Sequence, residues 1–266
     1  MDRQAIFALI QQRQSMLCVG LDPDPSRIPE RFGGDVLAFN RMVIDATRQY
    51  AVAYKPNTAF YEALGLSGME ILQQTIQYIG SEHFVIADAK RGDIGNTSRY
   101  YARFAFEALA ADAITVAPYM GSDSVQPFLE YDGKWTILLA LTSNAGAEDF
   151  QHTPQEDGRP LYAKVMQRAQ QWGSPDQLMF VCGATRADKF GDLRELAPDY
   201  FFLVPGIGAQ GGDLEGVCAS GMNAYGGLLI NSSRGILYAD NPAVAARELQ
   251  QRMARALEKY LPGVSQ

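Results

Sequence analysis

Histidine, cysteine and tryptophan are scarce in this sequence, with two, three and two residues. His83 and His152 form no His-x-x-x-His pair, and Cys18, Cys182 and Cys218 form no Cys-x-x-Cys pair, so no zinc site is expected. An odd number of widely spaced cysteines also argues against a disulfide framework and suits reduced, buried thiols. A catalytic cysteine would need a histidine partner, and the supply is thin. Long hydrophobic runs are missing as well. No stretch approaches the ~18 apolar residues of a membrane-spanning helix. The opening Met1-Asp2-Arg3-Gln4-Ala5-Ile6-Phe7 has no basic segment followed by an apolar one, so no signal peptide is expected and the cytoplasm is the expected compartment. Positive charge is in deficit: 23 Lys and Arg face 30 Asp and Glu, a net charge of −7. Such a field repels nucleic acid and anionic membrane surfaces, and neither is expected as a partner. An anionic substrate would have to be held by local cations.

What is present is a core. The 266 residues are 47% hydrophobic, enough core for one large domain or two small ones. Eight apolar runs stand out: Met16–Asp22, Ala51–Lys55, Phe84–Asp88, Ala113–Ala117, Thr136–Leu141, Leu178–Cys182, Tyr200–Val204 and Gly227–Ile230. They are nearly continuous in apolar character, not alternating, which is the pattern of parallel strands covered on both faces. Amphipathic spacing predicts helices near 2–14, 36–49, 69–79, 97–110, 123–131, 160–171, 187–196, 211–220 and 242–260. Asn241-Pro242 opens the last of these as a cap followed by proline. No linker, repeat or low-complexity break interrupts the alternation. The expectation is therefore α/β, a single (β/α)₈ TIM barrel over residues 1–266 with a short N-terminal helix. A doubly wound open sheet is the alternative, because periodicity does not distinguish a closed sheet from an open one.

A barrel places its chemistry at the C-terminal strand ends. The polar residues fall there: Asp22, Lys55, Asn57, Asp88, Lys90, Thr142, Ser143, Ser232 and Arg234. Asp88 and Lys90 are two apart, so on a regular strand they share a face. Asp93 follows in the turn, and Asn96 or Thr97 could cap the next helix. Lys55, Asp88, Lys90 and Asp93 form an alternation of charge. Two carboxylates about 4 Å apart would repel by roughly 4 kcal/mol at an effective dielectric near 20, and a lysine between them removes that penalty. Nearby carboxylates favour the protonated amine, and a protonated lysine in a dry pocket is a general acid. A substrate carboxylate brought beside Asp88 would restore the repulsion until it left, which suits decarboxylation followed by protonation. Structural ion pairs are the plainer account of any one of these residues.

The segment Val204–Gly212 contains Gly-x-Gly-x-x-Gly, but it comes late, and no acid ends the following strand as a dinucleotide site would require. It reads as a phosphate cradle of backbone amides and a helix N-terminus, with Arg234 adding a bidentate cation. Tight turns are the simpler use of such glycines. Leu141-Thr142-Ser143-Asn144 could read a base edge or an amide, or cap a helix. No metal is expected, although magnesium on Asp88 and Asp93 is compatible with the residue types.

Asp88-Ala89-Lys90-Arg91-Gly92-Asp93-Ile94-Gly95-Asn96-Thr97 resembles the Asp-x-Lys-x-x-Asp-Ile-x-x-Thr motif of the orotidine 5′-phosphate decarboxylase family. Leu21-Asp22, Lys55, Ser143, Pro205–Gly212 and Arg234 are similar to that family in order, so the resemblance spans nearly the whole chain. With Asn231-Ser232-Ser233-Arg234-Gly235-Ile236, the pattern looks like the bacterial type 2 branch. The resemblance implies conversion of orotidine 5′-phosphate to uridine 5′-phosphate and CO₂ without cofactor or metal. It implies Lys90 as proton donor to C6, Asp88 against the departing carboxylate, and Lys55 and Asp22 on ribose hydroxyls. It implies a homodimer with shared sites, Asp93 and Thr97 reaching the neighbour's ribose. Ser143 would read the pyrimidine, and Pro205, Gln210, Ser233 and Arg234 would line the phosphate end. Residues 144–160, long and polar, do not match the family residue by residue and read as a lid or part of the dimer edge. The rivals are a magnesium-dependent sugar-phosphate lyase or decarboxylase of the same superfamily and a non-catalytic nucleotide sensor, which would not need Lys90.

Overall fold

Strands apolar on both faces need cover on both faces. The computed structural model supplies it with a closed ring of parallel strands inside a layer of helices. It describes residues 1–207 and 212–261, and the side chains of all of these except residues 185 and 186. The strands are β1 (Leu17–Leu21), β2 (Ala53–Pro56), β3 (Phe84–Arg91), β4 (Ala113–Val116), β5 (Trp135–Leu141), β6 (Leu178–Cys182), β7 (Phe201–Pro205) and β8 (Leu228–Ser232). The last pairs back onto the first through Leu17↔Ile230, Cys18↔Asn231 and Val19↔Ser232. That closure makes a TIM barrel and excludes the open sheet. Every residue of β1, β2, β4, β6 and β8 is buried.

The helices follow in chain order. Before the fourth strand come α1 (Arg3–Arg13), α2 (Val36–Thr47), α3 (Thr58–Glu62), α4 (Gly65–Ile79) and α5 (Gly95–Arg103). After it come α6 (Ser122–Leu129), α7 (Leu161–Ala169), α8 (Phe190–Leu196), α9 (Leu214–Gly221), α10 (Arg234–Leu237) and α11 (Pro242–Tyr260). Several starts are capped by a side-chain oxygen: Asp2 accepts from the Ala5 amide at 2.8 Å, Asp35 from Ala38 at 2.9 Å, and Asn241 from Ala243 at 3.0 Å. The Asn241-Pro242 start falls where the sequence places it.

Three departures from the sequence reading have local causes. The expected helix 69–79 begins at Gly65, and a separate short α3 follows β2, capped by Asn57. The expected helix 97–110 is α5 followed by a π-helical turn at Phe104–Ala108, and the chain then reverses at Ala110, whose φ is +55°. Neither Asn96 nor Thr97 caps α5. Both lie inside its first turn, and the Asp93 carboxylate instead accepts from the Ile94 amide at 2.8 Å.

The opposite end of the barrel from the strand C-termini is plugged. Phe84, Trp135 and Phe201 open β3, β5 and β7, and their rings meet edge to face with centroids 6.2 and 6.5 Å apart. These are alternate strands, which is how barrel interiors are layered. The Trp135 indole donates to the Met1 carbonyl at 2.7 Å, and the chain's amino group lies 3.5 Å from Asp112. The N-terminal segment thus packs under this floor, with Ile6 and Ile10 of α1 fully buried. The other mouth is left for chemistry.

Candidate active site

β2 delivers Lys55 and β3 delivers Asp88, both buried at the C-terminal ends of their strands. Lys55 Nζ donates to Asp88 Oδ2 at 2.5 Å. Lys90 Nζ donates to Asp88 Oδ1 at 2.6 Å, and Thr115 Oγ1 on β4 donates to the same oxygen at 2.9 Å. Asp88 and Lys90 do meet, but β3 is not regular there. The register between β3 and β4 shifts between Ala87 and Arg91, and Lys90 has φ +48°. Burial alone would raise the Asp88 carboxyl's pKa, yet Lys55 and Lys90 outweigh it and hold the group well below the usual carboxylate range. Burial likewise works against the Lys55 ammonium, and the carboxylates of Asp88 and Asp22 more than restore it, so Lys55 stays charged.

A cleft of about 470 Å³ opens above this cluster. Of the expected residues, Asp22, Lys55, Asp88, Pro205, Ser233 and Arg234 line it. Lys90 joins through Asp88. Asp93 is half-buried and Thr97 exposed, and neither is in the lining. Ser143 follows β5 and packs where β5 and β6 converge, so that a Cβ on Gly183 would lie 2.9 Å from its Cβ; it too is outside the lining. Gln210 lies outside the described residues. The described ends of the glycine segment meet, the Gly212 amide donating to the Gly206 carbonyl at 3.2 Å, with Gly206 at φ +102°. The helix that follows does not offer a bare N-terminus: the Asp213 carboxylate caps it through the Gly216 amide at 3.0 Å. That cap takes one of the four free amides of the helix start and sets a carboxylate beside the others.

The sequence reading also missed residues that the cleft brings in. Asn231 on β8 is buried, and its Oδ1, like Asp22 Oδ1, is a buried oxygen with no hydrogen-bond partner among the described residues. Two unsatisfied acceptors at one mouth suit hydroxyl or N–H donors on a ligand. Arg27, from the turn after β1, stacks 3.9 Å from the Tyr238 ring centroid, and Tyr238 accepts from the Asp24 amide at 2.8 Å. Asn231 was readable as the end of an apolar run; Arg27 and Tyr238 are distant in sequence and carried no motif. Among the described residues no three His, Cys, Asp or Glu converge as a metal site would. The three cysteines are free and buried, and burial pushes each thiol up to about 12, so none is a nucleophile.

A family profile described as orotidine 5′-phosphate decarboxylase / HUMPS matches residues 15–249. The chain belongs to that family. It is 52% identical over 274 residues to an orotidine 5′-phosphate decarboxylase of Bacteroides fragilis, covering 98% of this chain and 100% of the relative. It is 52% identical to the protein of the same name from Porphyromonas gingivalis, covering 97% and 98%. Among solved structures, a Leishmania donovani OMP decarboxylase superposes with TM-score 0.86 at 38% identity, over 96% of this chain and 98% of that one. A Leishmania donovani UMP synthase gives TM-score 0.87 at 41% identity over 94% of this chain, which spans 55% of that longer protein. Within the orotidine 5′-phosphate decarboxylase / HUMPS family, the charged cluster and the cleft above it are the expected seat of the chemistry. No helix among the described residues is long and apolar enough to cross a membrane.

Proposed function

We propose that this chain decarboxylates orotidine 5′-phosphate to uridine 5′-phosphate and CO₂, the last step of de novo pyrimidine nucleotide synthesis. The observation that carries the reading is the Lys55–Asp88–Lys90 cluster under a cleft walled by Arg234, in a chain about half identical to decarboxylases along its whole length. The phosphate sits at the Pro205, Gln210, Ser233 and Arg234 end. Lys55 and Asp22 take ribose hydroxyls, and Ser143 reads the pyrimidine. The substrate carboxylate lies against Asp88. That carboxylate is already ionised, so the ground state is repulsive and the repulsion ends when CO₂ leaves. As the C6–carboxylate bond breaks, its electron pair stays on C6 and takes a proton from Lys90 Nζ. Binding energy gathered at the distant phosphate orients the ring over Lys90. The residues supply acid, charge and position, and no cofactor enters.

Asp93 and Thr97 complete the site of a second copy, which makes the active form a homodimer with shared sites. Each chain is a single barrel catalytic domain, and the enzyme works in the cytoplasm. The test is loss of the orotate ultraviolet absorbance on adding orotidine 5′-phosphate to the purified protein in excess chelator, beside Lys90→Ala. Turnover that survives the chelator and disappears in the variant supports both reaction and proton donor. Turnover only with added magnesium, or none from folded protein, overturns the reading in favour of a sugar-phosphate substrate.

A further inference from the structure

β4 reads Ala113-Ile114-Thr115-Val116, and its single hydroxyl is buried among apolar neighbours. A valine would match its shape and suit a strand equally well. The hydroxyl therefore needs an account. Thr115 Oγ1 accepts from the Lys90 amide at 2.9 Å and donates to Asp88 Oδ1 at 2.9 Å. The directions are forced: an amide only donates, an ionised carboxylate only accepts, and the hydroxyl has one proton. One side chain thus ties the backbone of Lys90 to the carboxylate that Lys90 Nζ grips. Lys90 needs the tie, because its φ of +48° lies in the left-handed region that L side chains rarely adopt. It sits in the irregular stretch where β3 and β4 lose register.

We propose that Thr115 is a positioning residue for the reaction, holding Lys90 in its left-handed conformation so that its ammonium stays on Asp88 and at the reacting carbon. This rests on the decarboxylase reading and adds to it a residue outside the cleft lining. Without the hydroxyl, the Lys90 amide loses its acceptor, the backbone relaxes towards the extended region, and Nζ leaves Asp88. Groups on β1, β7 and β8 that hold the rest of the substrate are untouched.

The experiment compares wild type with Thr115→Val, Thr115→Ala and Thr115→Ser in steady-state decarboxylation, with a crystal structure of Thr115→Val. In the valine and alanine variants kcat should fall about ten- to a hundredfold, the loss expected of one hydrogen bond to a charged group, while KM stays within about threefold. Serine keeps the hydroxyl and should restore kcat to within about threefold of wild type. The valine structure should show Lys90 out of the left-handed region and its Nζ off Asp88. If Thr115→Val does not fold, Thr115→Ala and Thr115→Ser give the same comparison. Unchanged kcat without the hydroxyl, a serine variant as impaired as valine, or an unmoved Lys90 would each overturn the proposal. Failure of the wild type to turn over orotidine 5′-phosphate would instead remove the decarboxylase reading, and the crystal structure would still decide whether the hydroxyl holds Lys90.

Discussion

Asp88 is the residue on which the site depends, because three donors from three strands end on its two oxygens. Buried with Lys55, it belongs to the class of ion pair whose separate halves are expensive to leave behind. Lys55→Ala should destabilise the fold by about 2–3 kcal/mol, read from urea unfolding at neutral pH, since Asp88 Oδ2 loses its buried partner while Lys90 and Thr115 stay on Oδ1. The pH dependence follows from the two shifts. Asp88 has a folded-state pKa below its unfolded value, so its contribution is present above the ordinary carboxylate range and disappears as pH falls towards the folded value. Lys55 has a folded-state pKa above its unfolded value, so its contribution is present below the ordinary lysine range and is lost as pH rises through it. Stability from the pair should therefore be flat from about pH 5 to 9 and fall outside that window. Asp88→Asn should flatten the acid limb, seen as a smaller drop in unfolding free energy between neutral and acid pH. An acid limb as steep as wild type would assign it to other carboxylates.

At the scale of elements, glycine settles how closely β1 and β8 approach. A Cβ on Gly20 would lie 1.8 Å from Ser233 Oγ and 3.3 Å from Asn231 Oδ1. Gly20→Ala must therefore push the turn that carries Ser233 and Arg234, and overpacking of this kind costs about 1–3 kcal/mol. KM should rise severalfold with kcat less affected, because the displaced turn is the phosphate end and not the lysine cluster; thermal unfolding and steady-state kinetics check it. The eight strands and the acid–lysine cluster were legible in the sequence as apolar runs ending in polar residues, whereas the closure of β8 onto β1 was not, because periodicity is the same in an open sheet. What was not legible depended on tertiary geometry. Lys90 and Asp88 meet through a register shift and a left-handed residue, not through the face-sharing of a regular strand. The start of α5 escaped because no side chain caps it: Ile94 stands at the cap position, and Asn96 and Thr97 lie inside the first turn. Thr115 escaped because one hydroxyl in an apolar strand looks like any threonine with strand propensity. Residues 144–160, unmatched to the family pattern, fold back on β5: Gln151 accepts from the Thr142 amide and donates to its hydroxyl at 2.8 and 2.7 Å.

For the whole molecule, the homodimer proposed above would place its second copy at the mouth above β3, β4 and β5. Asp93 and Thr97 lie outside their own cleft's lining. Beside them Ile94, Tyr119, Met120 and Phe150 are exposed, with the Tyr119 and Phe150 rings 6.4 Å apart and Met120 against Gly92. Apolar side chains gathered next to residues with no use in their own cleft suit a two-fold interface that buries the one and supplies the other. On that proposal, wild type should sediment as a dimer and Tyr119→Arg as a monomer of lower activity. The stricter test asks whose Asp93 serves which Lys90. Lys90→Ala and Asp93→Ala are each expected to be inactive as pure proteins. In mixed dimers formed after dissociation, one of the two sites would receive Lys90 from one copy and Asp93 from the other, both intact. Equal mixing makes about half the dimers mixed, so about a quarter of all sites should regain wild-type turnover if Asp93 crosses the two-fold axis. If each copy uses its own Asp93, every site in every dimer carries one lesion and mixing restores nothing. Activity that reappears on mixing and disappears with Tyr119→Arg in both partners would tie the recovery to this surface.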